Sequence, residues 1–285
     1  MTPRTALGAL HIGALFFGLA GVLGKLIDAT AVVIVFGRAG FAVLALALFA
    51  WAARSRPWLP LSRRSWAGLV FCGVLLCAHW VSFFLAVKVA GVAIATLGFA
   101  SFPAFTVALE GLLFRERIRP GEAVLVAVVS VGLLLVTPAF DLASHATLGL
   151  LWGIASGLLF ALLSLANRAA APQVPAVQAA LCQNAVVALC LLPFAAQQLP
   201  LLGVADWGWI AVLGVFCTGL AHCLFVASLG VVKARSAALV FALEPVYGIA
   251  LAWLIFAETP TLRMLLGGLL ILAAIIASSR LSQRH

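Results

Sequence analysis

Long apolar segments follow one another along the whole chain and are separated by short polar or proline-containing breaks. A helix needs about 17 to 25 apolar residues to cross the hydrocarbon core of a bilayer. Cutting the chain at the breaks predicts helices over 6–26, 31–53, 66–87, 92–114, 121–138, 147–168, 175–195, 207–229, 234–256 and 262–279. The pattern therefore predicts an all-α polytopic membrane protein with ten transmembrane helices.

Composition supports a membrane location. Hydrophobic residues make up 65% of the 285 residues, charged residues make up 9%, and the mean hydropathy is +1.23. Soluble proteins are about half apolar and a quarter charged. The net charge of +9 lies mostly in short runs between apolar segments rather than on a polar face. We therefore expect contact with anionic lipid headgroups and no nucleic-acid partner.

The distribution of lysine and arginine predicts the orientation, because cytoplasmic loops collect these residues. With ten helices, four cations fall on one side: Lys25, Arg38, Lys88 and Arg263. The other thirteen share the opposite side: Arg4, Arg54, Arg56, Arg63, Arg64, Arg115, Arg117, Arg119, Arg168, Lys233, Arg235, Arg280 and Arg284. Both termini are therefore predicted to be cytoplasmic.

The two halves of the chain carry a repeated segment. Residues 83–116 match residues 225–258 at 12 of 34 positions without a gap. Five helices per repeat is an odd number, so the second repeat enters the membrane upside down. We therefore predict a first five-helix repeat over residues 1–140, the first half, and an inverted one over residues 141–285, the second half. Inverted repeats give many secondary transporters two mirror-related conformations around a midplane site.

Pro103 and Pro245 lie at equivalent positions, about midway through their predicted helices. A proline inside a helix removes one hydrogen bond, and in a membrane the freed carbonyl groups need neighbours or water. We expect both prolines to bend their helices toward a cavity; the alternative is a packed kink that only shapes the bundle.

Glu244 immediately precedes Pro245, and its partner in the first repeat is Phe102. An ionisable group inside the bilayer costs about 2 to 3 kcal/mol or more and usually faces the protein interior. A carboxylate from one half and an aromatic ring from the other would suit a zwitterion with an apolar side chain. The alternative is a protonated Glu244 that is hydrogen-bonded to a neighbouring helix.

Further polar and aromatic side chains are candidates for the same cavity. His79, Ser82 and Phe83 share one helix face, whereas His222 is rotated by one residue from the position equivalent to His79. Such histidines and amides also serve as bonds between helices. The predicted substrate-binding residues are His79, Ser82, Phe83, Phe99, Phe102, Glu244, His222, Phe225, Asn184 and Phe17.

The repeated segments FPAFTVALEGLLFRE and EPVYGIALAWLIFAE resemble the EamA-type module of the drug/metabolite transporter superfamily. The opening FFGLAGVLGK is similar to the first-helix pattern of that family, with Gly18 and Lys25 at the expected places. Among ten-helix members, the chain resembles the YddG-type exporters of aromatic and other neutral amino acids; Phe17 stands where many relatives carry tryptophan. The resemblance implies a multi-pass transporter of the bacterial inner membrane that exports small metabolites.

Other function classes find little support in the residues. Asp28, Asp141 and Asp206 lie in loops or at helix ends, and there is no zinc-binding H-E-x-x-H. We therefore expect no enzyme, no metal and no cofactor. A channel would need rings of like charge or a carbonyl filter. Phosphate-bearing substrates need a cation at mid-depth. Lys25 and Arg38 are predicted near the outer ends of their helices, which favours neutral zwitterions.

The sequence thus predicts a monomeric exporter of small metabolites, above all neutral and aromatic amino acids, that works by alternating access around a midplane cavity. Export of other metabolites or drugs, and a channel-like facilitator, are the alternatives. Proton coupling through Glu244 and downhill uniport both fit the residues.

Overall fold

A computed structural model describes residues 1–52, 60–113, 120, 124, 127–128, 131–132, 135, 144–170, 174–233, 237, 240–241 and 243–282. Most of the predicted helix over 121–138 and the start of the one over 234–256 lie outside the described residues. The count of ten helices and the orientation of the termini stay predictions.

The described part of the chain is helical and contains no strand. The helices are α1 (Pro3–Leu26), α2 (Ala31–Ala52), α3 (Arg63–Phe99), α4 (Phe102–Leu113), α5 (His145–Ala170), α6 (Ala176–Ala195), α7 (Val204–Gly214), α8 (Ala221–Leu229), α9 (Glu244–Phe256) and α10 (Leu262–Ser282). A π-helical turn, Val215–Leu220, joins α7 to α8. Six of the described helical stretches are long and apolar enough to cross a membrane. The protein is therefore a polytopic helical membrane protein.

Helix α3 contains a reversal of the chain at Gly91. Gly91 has φ 82° and ψ 171°, a conformation that is open to glycine because it lacks a Cβ. Before the turn, His79 contacts Ser156, whereas Ala90 lies beside Gly149. The first limb of α3 therefore runs antiparallel to α5, and the turn separates the two spans that the sequence predicts over 66–87 and 92–114.

The second limb of α3 returns along α5 through contacts between glycines. A Cβ placed on Gly153 would lie 2.8 Å from the Ala95 carbonyl oxygen and 3.1 Å from the Gly98 Cα. Four residues later, a Cβ on Gly157 would lie 3.2 Å from the Phe102 backbone nitrogen. This limb therefore runs parallel to α5, with the two backbones in contact.

The prolines begin helices rather than bending them from within. Helix α3 ends at Phe99, two turn residues follow, and Pro103 is the second residue of α4. Pro245 is likewise the second residue of α9. The first turn of a helix has backbone N–H groups without helical partners, so a proline there removes no hydrogen bond. Contrary to the prediction, the prolines therefore do not bend continuous helices but lie in the first turns of separate helices.

Helix α1 of the first half packs directly on α9 of the second half. A Cβ on Gly18 would lie 2.8 Å from the Tyr247 Cβ and 3.1 Å from the Gly248 nitrogen. The close approach places the second half of α1 against the first turns of α9. The candidate site lies beside this contact.

Candidate functional site

A small cavity lies between the two halves, where α1, α2, α3 and α9 meet. Its volume is about 20 Å³, and it is lined by Phe17, Ala20, Arg38, His79, Trp80, Phe83, Phe99 and Glu244. A buried water needs about 10 to 15 Å³ on this measure. The cavity therefore holds about one water and is closed to anything the size of an amino acid.

A cluster of aromatic rings forms one side of the cavity, and Phe160 of α5 lies at its centre. Phe160 is 2% exposed. Ring centroids lie 4.8 to 6.5 Å from that of Phe160 for His79, Phe99, Phe102, Phe225, Phe241 and Phe17. Phe160 was not among the predicted site residues, because one phenylalanine in an apolar helix carries no distinguishing signal. The cluster joins rings from both halves into one apolar surface.

His79 is held by Ser156 of α5. Its Nδ1 lies 2.8 Å from the Ser156 hydroxyl and 3.1 Å from the Ser156 carbonyl oxygen. The Ser156 hydroxyl also lies within hydrogen-bonding distance, 3.1 Å, of the His79 carbonyl oxygen. These contacts fix the ring so that it lines the cavity beside Phe99.

Arg38 is the main correction to the sequence analysis, which placed it at an outer helix end. The residue is 2% exposed. It lies seven residues after Ala31, where α2 begins, which is about 10 Å along the helix. Because α2 carries no other charged residue, that depth was the available signal. A cation therefore does lie deep in the protein, on the wall of the cavity.

The Arg38 guanidinium is held by the π-helical turn and by aromatic rings. Nε donates to the Thr218 hydroxyl at 2.8 Å, and Nη2 donates to the Cys217 carbonyl oxygen at 3.3 Å. The guanidinium carbon lies 4.1 Å from the Trp80 ring centroid and 5.2 Å from that of Phe84. Such contacts stabilise a cation over an aromatic face.

Glu244 is the first residue of α9 and is 4% exposed. The N-terminus of a helix favours a negative side chain. Glu244 lines the same cavity as Arg38, yet among the described residues the two do not form a direct ion pair. An acidic group and a basic group therefore face one small space.

Five predicted site residues do not line this cavity. Phe102 and Phe225 belong to the aromatic cluster behind it. The Ser82 hydroxyl donates to carbonyl oxygens of its own helix at 2.8 and 2.9 Å. Asn184 Nδ2 donates to a carbonyl oxygen of its own helix at 2.8 Å and lies 3.1 Å from His222 Nδ1. The polar members of this set act as contacts within and between helices.

An ion pair closes one end of the contact between the halves. Lys25, near the end of α1, pairs with Glu258, just after α9. The ammonium group also lies 4.6 Å from the Phe256 ring centroid. A Cβ on Gly91 would lie 3.1 Å from Glu258 Oε1. Lys25, Glu258 and the chain reversal at Gly91 therefore meet at this end of the contact.

Within the described ranges, no group of three or more histidine, cysteine, aspartate or glutamate residues could hold a metal ion. The functional groups that line the cavity are aromatic rings, one carboxyl group, one guanidinium group and one imidazole.

Comparison with known proteins places these features in a family. The model of the EamA-like transporter family matches the chain twice, over residues 4–137 and 147–280. A protein of Archaeoglobus fulgidus that is described as an uncharacterized transporter is 27% identical over 273 residues, which are 95% of each chain. A crystal structure described only as that of a protein has a TM-score of 0.74 at 20% identity, covering 99% of this chain and 98% of its own, and so shares the fold. The matches point to transport rather than catalysis, and the chain belongs to the EamA-like transporter family.

Proposed function

We propose that the protein exports neutral and aromatic amino acids across the bacterial inner membrane by alternating access. The observation that carries the proposal is the cavity between the halves, where aromatic rings surround one acidic and one basic side chain. Transport itself follows from the family. The choice of substrate follows from the chemistry of the lining.

The rings of Phe17, Phe83 and Phe99 offer an apolar and aromatic surface for a substrate side chain. Aromatic pairs gain about 0.5 to 1.5 kcal/mol beyond the burial of their area. Glu244 would accept charge-assisted hydrogen bonds from the substrate ammonium group, as the sequence analysis expected. Arg38 is a deeply buried cation, so the lack of such a cation no longer speaks against phosphate-bearing substrates. The presence of both charge signs now supports a zwitterion.

Alternating access is supported by the small volume of the cavity. Its volume of about 20 Å³ admits no amino acid, so the halves must separate to load the site. The ion pair of Lys25 with Glu258 joins the two halves at one end of α1. The two matches to one family model support a division into halves at residues 140 and 141. An odd number of helices per half and the thirteen-to-four division of cations support inversion, with cytoplasmic termini.

The test is uptake of labelled amino acids by proteoliposomes that contain the purified protein. We expect saturable phenylalanine and leucine uptake that an excess of either unlabelled amino acid inhibits. Uptake of nucleotide-linked sugars or drugs in place of amino acids would overturn the proposed substrate class. Flux that rises linearly with concentration would indicate a channel-like facilitator instead.

The variant Glu244→Gln tests the site itself. If Glu244 binds the substrate ammonium group, its loss costs about 1.5 to 3 kcal/mol, and KM should rise about 10- to 150-fold. If Glu244 carries a proton, the variant should lose its response to a pH gradient while exchange without a gradient continues. Wild-type kinetics with and without a gradient would remove Glu244 from the site. Arg64→Gln, at an exposed position in the first turn of α3, serves as the control.

A further inference from the structure

We propose that Arg38 binds the carboxylate group of the transported substrate. The inference rests on the proposed amino-acid transport and adds a second anchor, so that the protein selects compounds bearing a carboxylate and rejects the corresponding amines.

The charge of Arg38 is buried. A guanidinium group stays protonated in proteins, and a buried charge is costly unless an opposite charge or several hydrogen bonds compensate it. The described hydrogen bonds of Arg38 go to a hydroxyl and a carbonyl oxygen, which are both neutral. No carboxylate of the described chain pairs with it directly. The site therefore lacks an anion in direct contact with its cation.

The contacts of Arg38 limit the direction from which a ligand can bind it. Trp80 and Phe84 lie against the guanidinium carbon, and the π-helical turn takes Nε and Nη2. A guanidinium group has five N–H donors arranged in a plane. Because Arg38 also lines the cavity, a carboxylate placed there would meet the remaining donors of this planar edge.

The charges of Arg38 and Glu244 match those of an α-amino acid. The ammonium and carboxylate groups of such a substrate are attached to one carbon atom, so both lie within a small space. With the carboxylate on Arg38 and the ammonium group on Glu244, each protein charge gains an opposite partner. An amine without a carboxylate leaves Arg38 without its anion. Sites built to pair a polar group reject analogues that lack it by large factors.

Thr218 acts as a positioning residue for this anchor. Its hydroxyl donates to the Leu213 carbonyl oxygen, five residues earlier, at 2.8 Å and accepts from Arg38 Nε. π-helical turns occur often at functional sites, because the irregular ladder presents backbone and side-chain groups that an α-helix would hide. The turn thus holds the guanidinium group without supplying the anion.

The experiment compares substrates with and without the carboxylate. Uptake of labelled phenylalanine into proteoliposomes is inhibited with phenylalanine or with phenylalanine amide, which keeps the ammonium group and the ring. The wild-type protein should prefer the acid over the amide by about 100-fold, the value of a charge-assisted pair. In Arg38→Gln this preference should fall to about threefold or less. Arg38→Lys should keep part of it, because lysine keeps the charge but loses the planar fork.

Two further measurements keep the test decisive if Arg38→Gln fails to fold. Thr218→Val should lower the preference about 10-fold, consistent with one misplaced charged hydrogen bond. Phenylacetate has the ring and the carboxylate alone. It should raise the melting temperature of the purified wild-type protein, and it should raise that of Arg38→Lys by less. The exposed control Arg64→Gln should match the wild type in both measurements.

The outcomes separate the two proposals. If the wild-type protein takes up no amino acid, the proposed function fails, and the phenylacetate measurement still decides whether Arg38 binds a carboxylate. If uptake proceeds but Arg38→Lys and Thr218→Val keep the full preference for the acid over the amide, the Arg38 inference is overturned and the proposed function stands.

Discussion

Phe160 is the side chain on which the aromatic cluster depends. It is 2% exposed and contacts rings from both halves, including Phe99 and Phe225. Phe160→Ala should lower the free energy of unfolding by about 3 to 5 kcal/mol, since it leaves a large cavity among groups that cannot collapse. The measurement is the unfolding of the purified protein in detergent, monitored by circular dichroism.

Phe194 offers a matched control, because it is 67% exposed. Phe194→Ala should change the free energy of unfolding by less than about 1 kcal/mol. Equal destabilisation by the two variants would show that the cluster around Phe160 contributes no special stability.

The site shows which residues a sequence alone can reveal. Glu244 was found because a carboxylate beside a proline in an apolar helix is conspicuous, and the structure places it on the cavity wall. Arg38 was wrongly placed at a helix end, although seven residues separate it from the start of α2 and the protein buries it. Ser82 was included because it shares a helix face with His79, yet a hydroxyl inside a helix readily bonds its own backbone.

At the scale of elements, the contact between α3 and α5 depends on glycine. Gly153→Ala should destabilise the protein by about 1 to 3 kcal/mol, because its Cβ would lie 2.8 Å from the Ala95 carbonyl oxygen and force two backbones apart. The control is Gly68→Ala in α3, where an added Cβ meets nothing within 4 Å.

Gly68→Ala should raise stability by about 0.5 to 1 kcal/mol, the usual gain in a helix interior. Thermal unfolding of both variants measures the difference. Destabilisation by both changes would mean that α3 does not tolerate alanine in general, and the close contact at Gly153 would lose its support.

Most helices were predictable from the apolar segments, since span length alone sets their approximate bounds. The cut between the spans 66–87 and 92–114 predicted the chain reversal, although nothing in the sequence showed that Gly91 makes it with a positive φ of 82°. The prolines marked real interruptions but were placed inside helices, whereas Pro103 and Pro245 each lie in a first turn. A proline at mid-span signals a break without telling on which side the new helix begins.

At the scale of the whole molecule, the pair of Lys25 with Glu258 joins residues 233 positions apart in the sequence. Under alternating access this end must open in each cycle. Lys25→Glu and Glu258→Lys should each slow phenylalanine exchange, because like charges would meet where opposite charges now pair. The double variant should recover most of the rate.

Lys88→Gln is the control at the same end, since Lys88 donates to the Ile27 carbonyl oxygen and lies outside the ion pair. We expect near wild-type exchange for this variant. Exchange is measured as counterflow in proteoliposomes. A double variant as slow as either single variant would show that the charges do not act as a pair.

The π-helical turn also records a difference between the halves. Before the turn, Gly73 corresponds to Gly214 at an offset of 141, whereas after it Phe83 corresponds to Phe225 at an offset of 142. The numbering of the two halves therefore changes by one residue within or beside Val215–Leu220, and a π-turn accommodates one residue more than an α-turn. The extra residue corresponds to a single inserted codon. A repeat-based alignment without a gap there mispairs every earlier position of this helix by about 100° of rotation.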